Sequence, residues 1–351
     1  MRKILSLVLV SLFVLGLCAA GATAEAKPSW VRDDPASIGD TVVVYSTLDD
    51  AQQATVEAIW YQHYPDCRIE WISDSVGKLI ARARSEMNNP QADVIMGGLF
   101  ESDGTTFHDV LSPYTPTIAD EMATLDPYGY YVMFDVQYMA FVVNNDLMGE
   151  LGIEIKSYDD LLNPALKGKI ILADPSASSS GYRQFHTMLA LKGDSFGDEK
   201  AWNYIDQLMA NCDGVVTSSS STVFKSVING EYVVGLSYEN IIQMQIEING
   251  ASNISLVYPA EGNTACASGA AMVKGAPHRS AAEAFLDFCA SGDYQQARSV
   301  ENCARGTNKT ISYGNYPADE DLGLVKIDWE WLGTQKEALL EKWAERWAEH
   351  A

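Results

Sequence analysis

Three strand-like runs separated by two helix-like runs constrain the fold of this chain most. The strand-like runs are TVVVYS (41–46), RIEWIS (68–73) and ADVIMGG (92–98). Between them, residues 50–64 and 78–87 place apolar side chains at helical spacing. A β-α-β-α-β order predicts a parallel sheet with right-handed crossovers. Ligands of such sheets gather at the carboxyl ends of the strands, where the strand order reverses.

A second alternating set follows an irregular stretch at residues 99–130. Its strand-like runs are YMAFVVNN (138–145), KIILADP (169–175), YVVGLSY (232–238) and ISLVYP (254–259). GAAMV (269–273) and the helix-like run after it are typical of a return to the first unit. A chain of this length exceeds what one core usually supports, so we predict an α/β fold with two lobes.

The first 24 residues have the pattern of an export signal. A basic start precedes an apolar run at 4–17, and ATA at 22–24 forms a cleavage site of small residues. Cys18 raises the possibility of a lipid anchor, but Leu17 is bulkier than the residue that usually precedes a lipidated cysteine. We therefore predict cleavage near Ala24 and a periplasmic mature protein.

The charge of the chain bears on its partners. Removal of the signal takes two of the 24 Lys and Arg residues and leaves 47 Asp and Glu, a net charge of −25. Such a field disfavours nucleic acid and anionic membrane surfaces. A small anionic ligand stays possible, because a few aimed N–H groups outweigh screened distant charges.

Small hydroxyl side chains and glycines stand at the ends of six predicted strands. The positions that we select as candidate ligand contacts are Ser46, Ser75, Gly77, Gly98, Ser178, Ser179, Ser180, Tyr182, Ser219, Tyr238 and Glu239. Each stretch taken alone is explained by helix capping or a turn. Together they predict that helix N-termini from both lobes face a shared crevice, where N–H groups favour a phosphate, phosphonate or carboxylate.

No motif of catalysis or cofactor binding is present: the chain has no GxSxG, HExxH, GxxxxGK[ST] or GxGxxG. The five histidines lack metal-ligand spacing, and His186 near the serines is the one feature that keeps a secreted hydrolase as a minor alternative. We predict no enzyme activity, no catalytic residue, no cofactor and no bound metal. For the cysteines, we predict a disulfide between Cys266 and Cys303, because TACASG and ENCARG both look like turns.

Four stretches resemble bacterial extracellular solute-binding proteins of ABC transporters. They are VVVYSTLD, ADVIMGG, YDDLLNPALKGKIILADPSASSSGY and GEYVVGLSYEN, and the resemblance runs from about residue 40 to about 316. The branch includes ferric-iron, 2-aminoethylphosphonate and hexose-phosphate binders. The resemblance implies a two-lobed type II periplasmic-binding fold, with hinge crossings near 138–143 and 257–261. Lobe one is then 29–137 plus 262–351, and lobe two is 138–261.

The resemblance also implies a function. Such proteins, expected here as a monomer, close around a ligand and dock on a permease in the inner membrane. We predict a small organic anion, phosphorylated or phosphonate, held by the serines and glycines, with Tyr238 and Glu239 orienting the rest. Iron binders of the family carry a Tyr-Tyr pair where this chain has Tyr238 and Glu239, so ferric ion bound by Tyr238 is the alternative ligand.

Overall fold

The computed structural model describes residues 27–100, 103–312, 314 and 316–350. The predicted signal peptide, Cys18 and the cleavage site at Ala24 lie outside these residues. The strands of the described chain are β1 (Thr41–Ser46), β2 (Arg68–Ser73), β3 (Val94–Phe100), β4 (Leu111–Ser112), β5 (Tyr131–Asn144), β6 (Ile170–Ile171), β7 (Val234–Tyr238), β8 (Ile254–Val257) and β9 (Ala265–Val273). The α-helices are α1 (Asp50–His63), α2 (Val76–Ser85), α3 (Asp103–Thr106), α4 (Asn145–Leu151), α5 (Ser179–Leu191), α6 (Glu199–Cys212), α7 (Ser220–Ile228), α8 (Glu239–Glu247), α9 (Arg279–Ala290), α10 (Gly292–Asn302) and α11 (Trp329–Trp347).

The first three strands form the predicted parallel unit. β1 pairs in parallel with β2 over its whole length and with β3 from Val44 to Ser46. β9 then adds to the far side of β3 in antiparallel orientation, as predicted for a chain that returns to the first unit. The main strand order is β2-β1-β3-β9-β5-β7-β6, with β4 paired to β9 and β8 paired to β5 beside this path. The long apolar runs thus occupy the middle of the sheet, where both faces are covered.

The strand β5 crosses between two sheets. Its residues Tyr131 to Tyr138 pair with β9, and Met139 to Val143 pair with β7. The second connection leaves β8, which pairs with the end of β5, and enters β9. Asn263 fixes this connection, because its side-chain amide accepts from the backbone N–H of Met139 and donates to the carbonyl of the same residue. The change of partner along β5 falls at the crossing predicted near 138–143, and the second connection leaves β8 at Val257, where the predicted 257–261 crossing begins.

Each sheet has its own buried core. Trp60, Phe285 and Phe288 pack together on the first sheet, and Phe185 and Trp202 pack on the second. The C-terminal helix α11 joins the second of these cores, because the buried Trp343 ring lies 5.2 Å from that of Phe185. α11 therefore packs on the second core, although the family resemblance places residues 262–351 in lobe one. None of the helices in the described part of the chain has the length and hydropathy of a membrane span.

The predicted disulfide between Cys266 and Cys303 is wrong. Cys67, Cys212, Cys289 and Cys303 are buried thiols outside any disulfide in the described chain. TACASG is not a turn: Cys266 lies within β9, and its Sγ is 3.9 Å from His186 Nε2. Cys303 ends α10 in a left-handed conformation, and its Sγ is 4.0 Å from Glu247 Oε2. The two sulfurs therefore face different surroundings.

Candidate functional site

A polar cavity of about 320 Å³ lies where β5 passes between the sheets. We call it the cleft. Six hydroxyl side chains line it: Thr47, Ser179, Ser180, Ser220, Tyr238 and Ser268. They come from the loop after β1, from the first turns of α5 and α7, from the end of β7 and from β9. The cleft is therefore formed by elements of both sheets, at the carboxyl ends of β1 and β7.

The serines at the start of α5 have two roles: one caps the helix and two line the cleft. Ser178 is the N-cap of α5, and its Oγ accepts from the backbone N–H of Gly181. Ser179 and Ser180 follow it and line the cleft. Gly181 is required for packing, since a Cβ there would stand 2.5 Å from the carbonyl oxygen of Ala173. The helix N-terminus is thereby pressed against its sheet and turned toward the cleft, where its dipole favours an anion.

Two glycines make the opposite wall. Gly97 and Gly98 have φ angles of +82° and +70°, a region that side chains other than glycine rarely adopt. They form the irregularity in the pairing of β3 with β9 between Met96 and Leu99. A Cβ at Gly97 would stand 2.4 Å from Oγ1 of Thr47. The bulge therefore brings bare backbone and the Thr47 hydroxyl to the same side of the cleft.

Two buried arginines line the cleft, and both have unsatisfied N–H groups. Arg183 lies flat on the Phe100 ring, with Cζ 3.4 Å from its centroid, and Nη1 donates to Oε1 of Gln137. Its Nη2 has no hydrogen-bond partner among the described residues. Arg298 donates from Nη2 to Asp135 Oδ2 at 2.7 Å, while its Nε and Nη1 find no acceptor in the described chain. Both residues are only 5% exposed.

The cleft carries positive charge in an acidic protein. Its charged lining residues are Arg183, Arg298 and Asp135, so two positive charges face one negative charge. Burial also raises the pKa of the Tyr238 phenol, which keeps its O–H as a hydrogen-bond donor. A buried guanidinium without a full set of acceptors is costly unless an anion completes it. The arrangement is therefore suited to an anion with several oxygen atoms.

The structure brings four of the eleven sequence-predicted ligand contacts to the cleft: Gly98, Ser179, Ser180 and Tyr238. Ser219 and Ser46 are immediate neighbours of the lining residues Ser220 and Thr47; the Oγ of Ser46 is buried and accepts from the N–H of Leu48. The other five do not line the cleft: Ser75, Gly77, Ser178, Tyr182 and Glu239. Ser75 is the N-cap of α2, and Gly77 is an exposed residue of that helix.

Glu239 faces away from the cleft into a buried ion pair. Its two oxygens accept from Nε and Nη2 of Arg305 at 2.7 and 2.5 Å, and Tyr258 donates to it at 2.5 Å. Arg305 bridges to Val136 in the first-sheet half of β5, whereas Glu239 begins α8 after β7. The pair therefore ties the two sides of the hinge together. Because both carboxylate oxygens of Glu239 already accept hydrogen bonds, Glu239 pairs with Arg305 in place of the predicted ligand.

His186 is too weakly basic to serve as a general base. It is buried in α5, and its ring stands edge-on to those of Tyr182 and Trp329. Burial lowers its pKa to about 3, with Arg183 and Lys336 adding to the effect. The histidine is therefore neutral at pH 7.

This burial predicts acid sensitivity. The unfolded chain binds a proton on His186 near pH 6.5, but the folded chain does so only near pH 3. Stability that is present above pH 6.5 is therefore lost as the pH falls toward 3. We expect the melting temperature of His186→Gln, measured by thermal unfolding, to fall less between pH 7 and pH 5 than the melting temperature of the wild type. Equal losses in both proteins would assign the acid sensitivity to other groups.

The sequence profile described as bacterial extracellular solute-binding protein matches residues 37–307. The chain belongs to this family. A Salmonella typhi periplasmic protein whose name assigns it to 2-aminoethylphosphonate binding is 26% identical over 301 residues, 80% of each chain. The binding protein AfuA from Actinobacillus pleuropneumoniae, solved with fructose-6-phosphate, superposes with a TM-score of 0.73 at 25% identity, over 88% of this chain and 99% of AfuA. Iron-bound HitA from Pseudomonas aeruginosa gives a TM-score of 0.72 at 21% identity, over 87% of this chain and 99% of HitA, and shares the fold.

Membership confirms the resemblance seen in the sequence and the type II periplasmic-binding fold. The chain is a solute-binding protein of the ABC-importer class, whose members are exported and serve transport. Binding proteins of this family deliver their ligand to a permease. The sequence missed the residues that set the charge of the cleft, Arg183, Arg298 and Asp135. One signal was available for Arg183: it is the only Asp, Glu, Lys or Arg in the sequence of α5.

Proposed function

We propose that this solute-binding protein captures a small organic anion, a phosphorylated or phosphonate compound, between its two lobes and delivers it to an ABC permease in the inner membrane. The observation that carries the proposal is the pair of buried guanidinium groups, Arg183 and Arg298, with unsatisfied N–H groups beside a hydroxyl-lined cavity. A monomeric protein with lobe one at 29–137 plus 262–351 and lobe two at 138–261 is part of the proposal, with α11 of lobe one packed across on the core of lobe two. Tyr238, Ser179, Ser180 and the backbone at Gly98 then complete the anion site.

The number of donors favours a tetrahedral anion over a carboxylate. Both kinds of anion form bidentate pairs with arginine, but a carboxylate has two oxygens, whereas a phosphate or phosphonate presents three to the surrounding donors. The cleft offers two guanidinium groups, six hydroxyls and the N-terminus of α5. The relatives add support, since one is named for 2-aminoethylphosphonate and one was solved with a sugar phosphate. The ferric alternative loses support here, because Glu239, which stands where iron binders carry a second tyrosine, is held by Arg305.

Native mass spectrometry of the protein purified from a periplasmic extract tests the proposal directly. We expect a retained mass of a few hundred daltons or less, together with a thermal shift on adding inorganic phosphate or 2-aminoethylphosphonate, because binding to the folded state stabilises it. A retained mass near that of iron, with a visible tyrosinate charge-transfer band, would establish the ferric alternative. Turnover of a generic ester would revive the hydrolase reading.

The serine stretch yields a matched pair of variants. We expect Ser178→Ala to lower the free energy of unfolding by about 1 kcal/mol through loss of the cap, with little change in phosphate affinity. The double variant Ser179→Ala with Ser180→Ala is expected to weaken phosphate binding at least about tenfold through the loss of one or two hydrogen bonds to a charged group. Calorimetric titration and thermal unfolding separate the two effects. Equal affinity in the double variant and the wild type would return Ser179 and Ser180 to a purely structural role.

A further inference from the structure

A second cavity of about 460 Å³ lies beside the cleft and shares a wall with it. We call it the side pocket. Phe100, Ser179 and Arg183 line both cavities. The Arg183 guanidinium, stacked on Phe100, therefore borders the anion site and the side pocket together. The remaining walls of the side pocket come from α3 and the residue after it, from the following turns of α5, from Cys266 of β9 and from the start of α11.

Aromatic rings make most of the apolar lining of the side pocket. Phe100 and Phe107 face it from the first-sheet side, Tyr182 from α5, and Trp329 from α11. The His186 ring stands edge-on to Tyr182 and to Trp329, with centroid distances of 5.5 and 5.4 Å. Rings held at fixed angles around a cavity of this size fit a flat ligand group, which gains offset or edge-to-face contacts with them.

The side pocket also has charged lining residues, among them Arg183, Lys336 and Glu337, and two of its uncharged polar side chains are unsatisfied. Tyr182 Oη and His186 Nδ1 are buried and have no hydrogen-bond partner among the described residues. They lie one helical turn apart on α5, next to the unsatisfied Nη2 of Arg183. The Asp103 carboxyl also lines the pocket, and its Oδ2 accepts from the backbone N–H of Phe100 at 3.0 Å. A buried polar atom without a hydrogen-bond partner lowers stability by about 1–3 kcal/mol. A group of such atoms in one pocket therefore indicates a ligand that supplies the missing hydrogen bonds.

We propose that the side pocket holds a heteroaromatic ring of the same ligand whose anionic group lies in the cleft. The inference rests on the proposed function, because it uses the anion at Arg183 as the fixed end of the ligand. It narrows the substrate class to phosphorylated or phosphonate compounds that carry a planar ring with hydrogen-bonding atoms on its edge. The rings of Phe107 and Trp329 contact the faces or edges of that ring, and Tyr182 and His186 pair with its polar edge.

Three probes that differ only beyond the phosphate test this assignment: methyl phosphate, benzyl phosphate and pyridin-3-ylmethyl phosphate. We expect benzyl phosphate to bind the wild-type protein at least about tenfold more tightly than methyl phosphate, and the pyridine compound more tightly still. Phe107→Leu is expected to remove most of the advantage of the ring while the affinity for methyl phosphate stays the same. Met87→Ala, at an exposed position, is the control variant and is expected to bind all three probes like the wild type.

Tyr182→Phe supplies a variant that removes one unsatisfied hydroxyl without changing the packing. We expect its melting temperature to equal or exceed that of the wild type, and its affinity for the pyridine compound to fall about fivefold or more, with benzyl phosphate unaffected. Ring compounds that bind no more tightly than methyl phosphate would overturn the side-pocket assignment and leave the anion site standing. Failure of all three probes, and of inorganic phosphate, would instead contradict the proposed function and this inference together.

Discussion

Arg183→Met is expected to weaken the binding of inorganic phosphate and of 2-aminoethylphosphonate by about a hundredfold. The guanidinium borders the cleft and has one N–H group, Nη2, without a partner, so a bound anion would receive at least one charge-assisted bond from it. Such bonds contribute about 1.5–3 kcal/mol each, and about 1.4 kcal/mol corresponds to a tenfold change in affinity. Methionine keeps an apolar side chain of similar length on the Phe100 ring, so the fold is expected to persist.

Calorimetric titration measures the loss of phosphate affinity, and two control variants show whether the loss is specific to the guanidinium of Arg183. Arg84→Met removes an arginine that is partly exposed and pairs with Asp109 outside the cleft, and we expect it to bind phosphate like the wild type. Arg183→Lys keeps the charge but not the planar fork, so we expect it to recover only part of the affinity. Phosphate binding by Arg183→Met within about threefold of the wild type would remove this residue from the anion site.

The sequence predicted correctly those parts of the fold that depend on the order of polar and apolar residues within one short segment. β1 and β3 carry apolar runs because they lie between other strands and are buried on both faces, whereas β2, at the edge of the sheet, alternates polar and apolar residues; both patterns are visible without an alignment. The crossing of β5 was located through the family resemblance, and the structure places the change of partner between Tyr138 and Met139. The irregularity in the pairing of β3 at Gly97 and Gly98 was not predicted.

The parts of the site that the sequence missed depend on contacts between distant segments. Ser179 and Ser180 were found because the start of a helix is a local feature, whereas Arg298 reaches the cleft from α10, far along the chain. Glu239 was misplaced for a related reason. It adjoins Tyr238 at the end of a strand, where successive side chains point in opposite directions, so only Tyr238 faces the cleft. Its partner Arg305 is 66 positions away in sequence and carries no local signal.

The second large effect is expected at that ion pair. We expect Glu239→Gln to lower the free energy of unfolding by about 3–5 kcal/mol, which corresponds to a fall in melting temperature of roughly 10 °C. The side chains of Arg305 and Glu239 are only 6% and 1% exposed, and the carboxylate that stays in contact with Arg305 is that of Asp319, 3.6 Å away and 59% exposed, so the substitution leaves a buried cation with a weak partner. The Tyr138 and Tyr316 rings, whose centroids lie 4.4 and 4.9 Å from Arg305 Cζ, keep that cation from water.

A double variant separates the loss of the pair from the loss of packing. Replacing both partners, Glu239→Gln with Arg305→Met, removes the uncompensated charge, and we expect it to recover most of the melting temperature that the single variant loses. Glu283→Gln, whose partner Arg279 is 65% exposed, is the control and is expected to cost less than about 1 kcal/mol. Raising the salt concentration is expected to change the Glu239→Gln effect little, because buried charges are weakly screened. A single variant that melts within about 2 °C of the wild type would show that the hinge is held by the crossing strands alone.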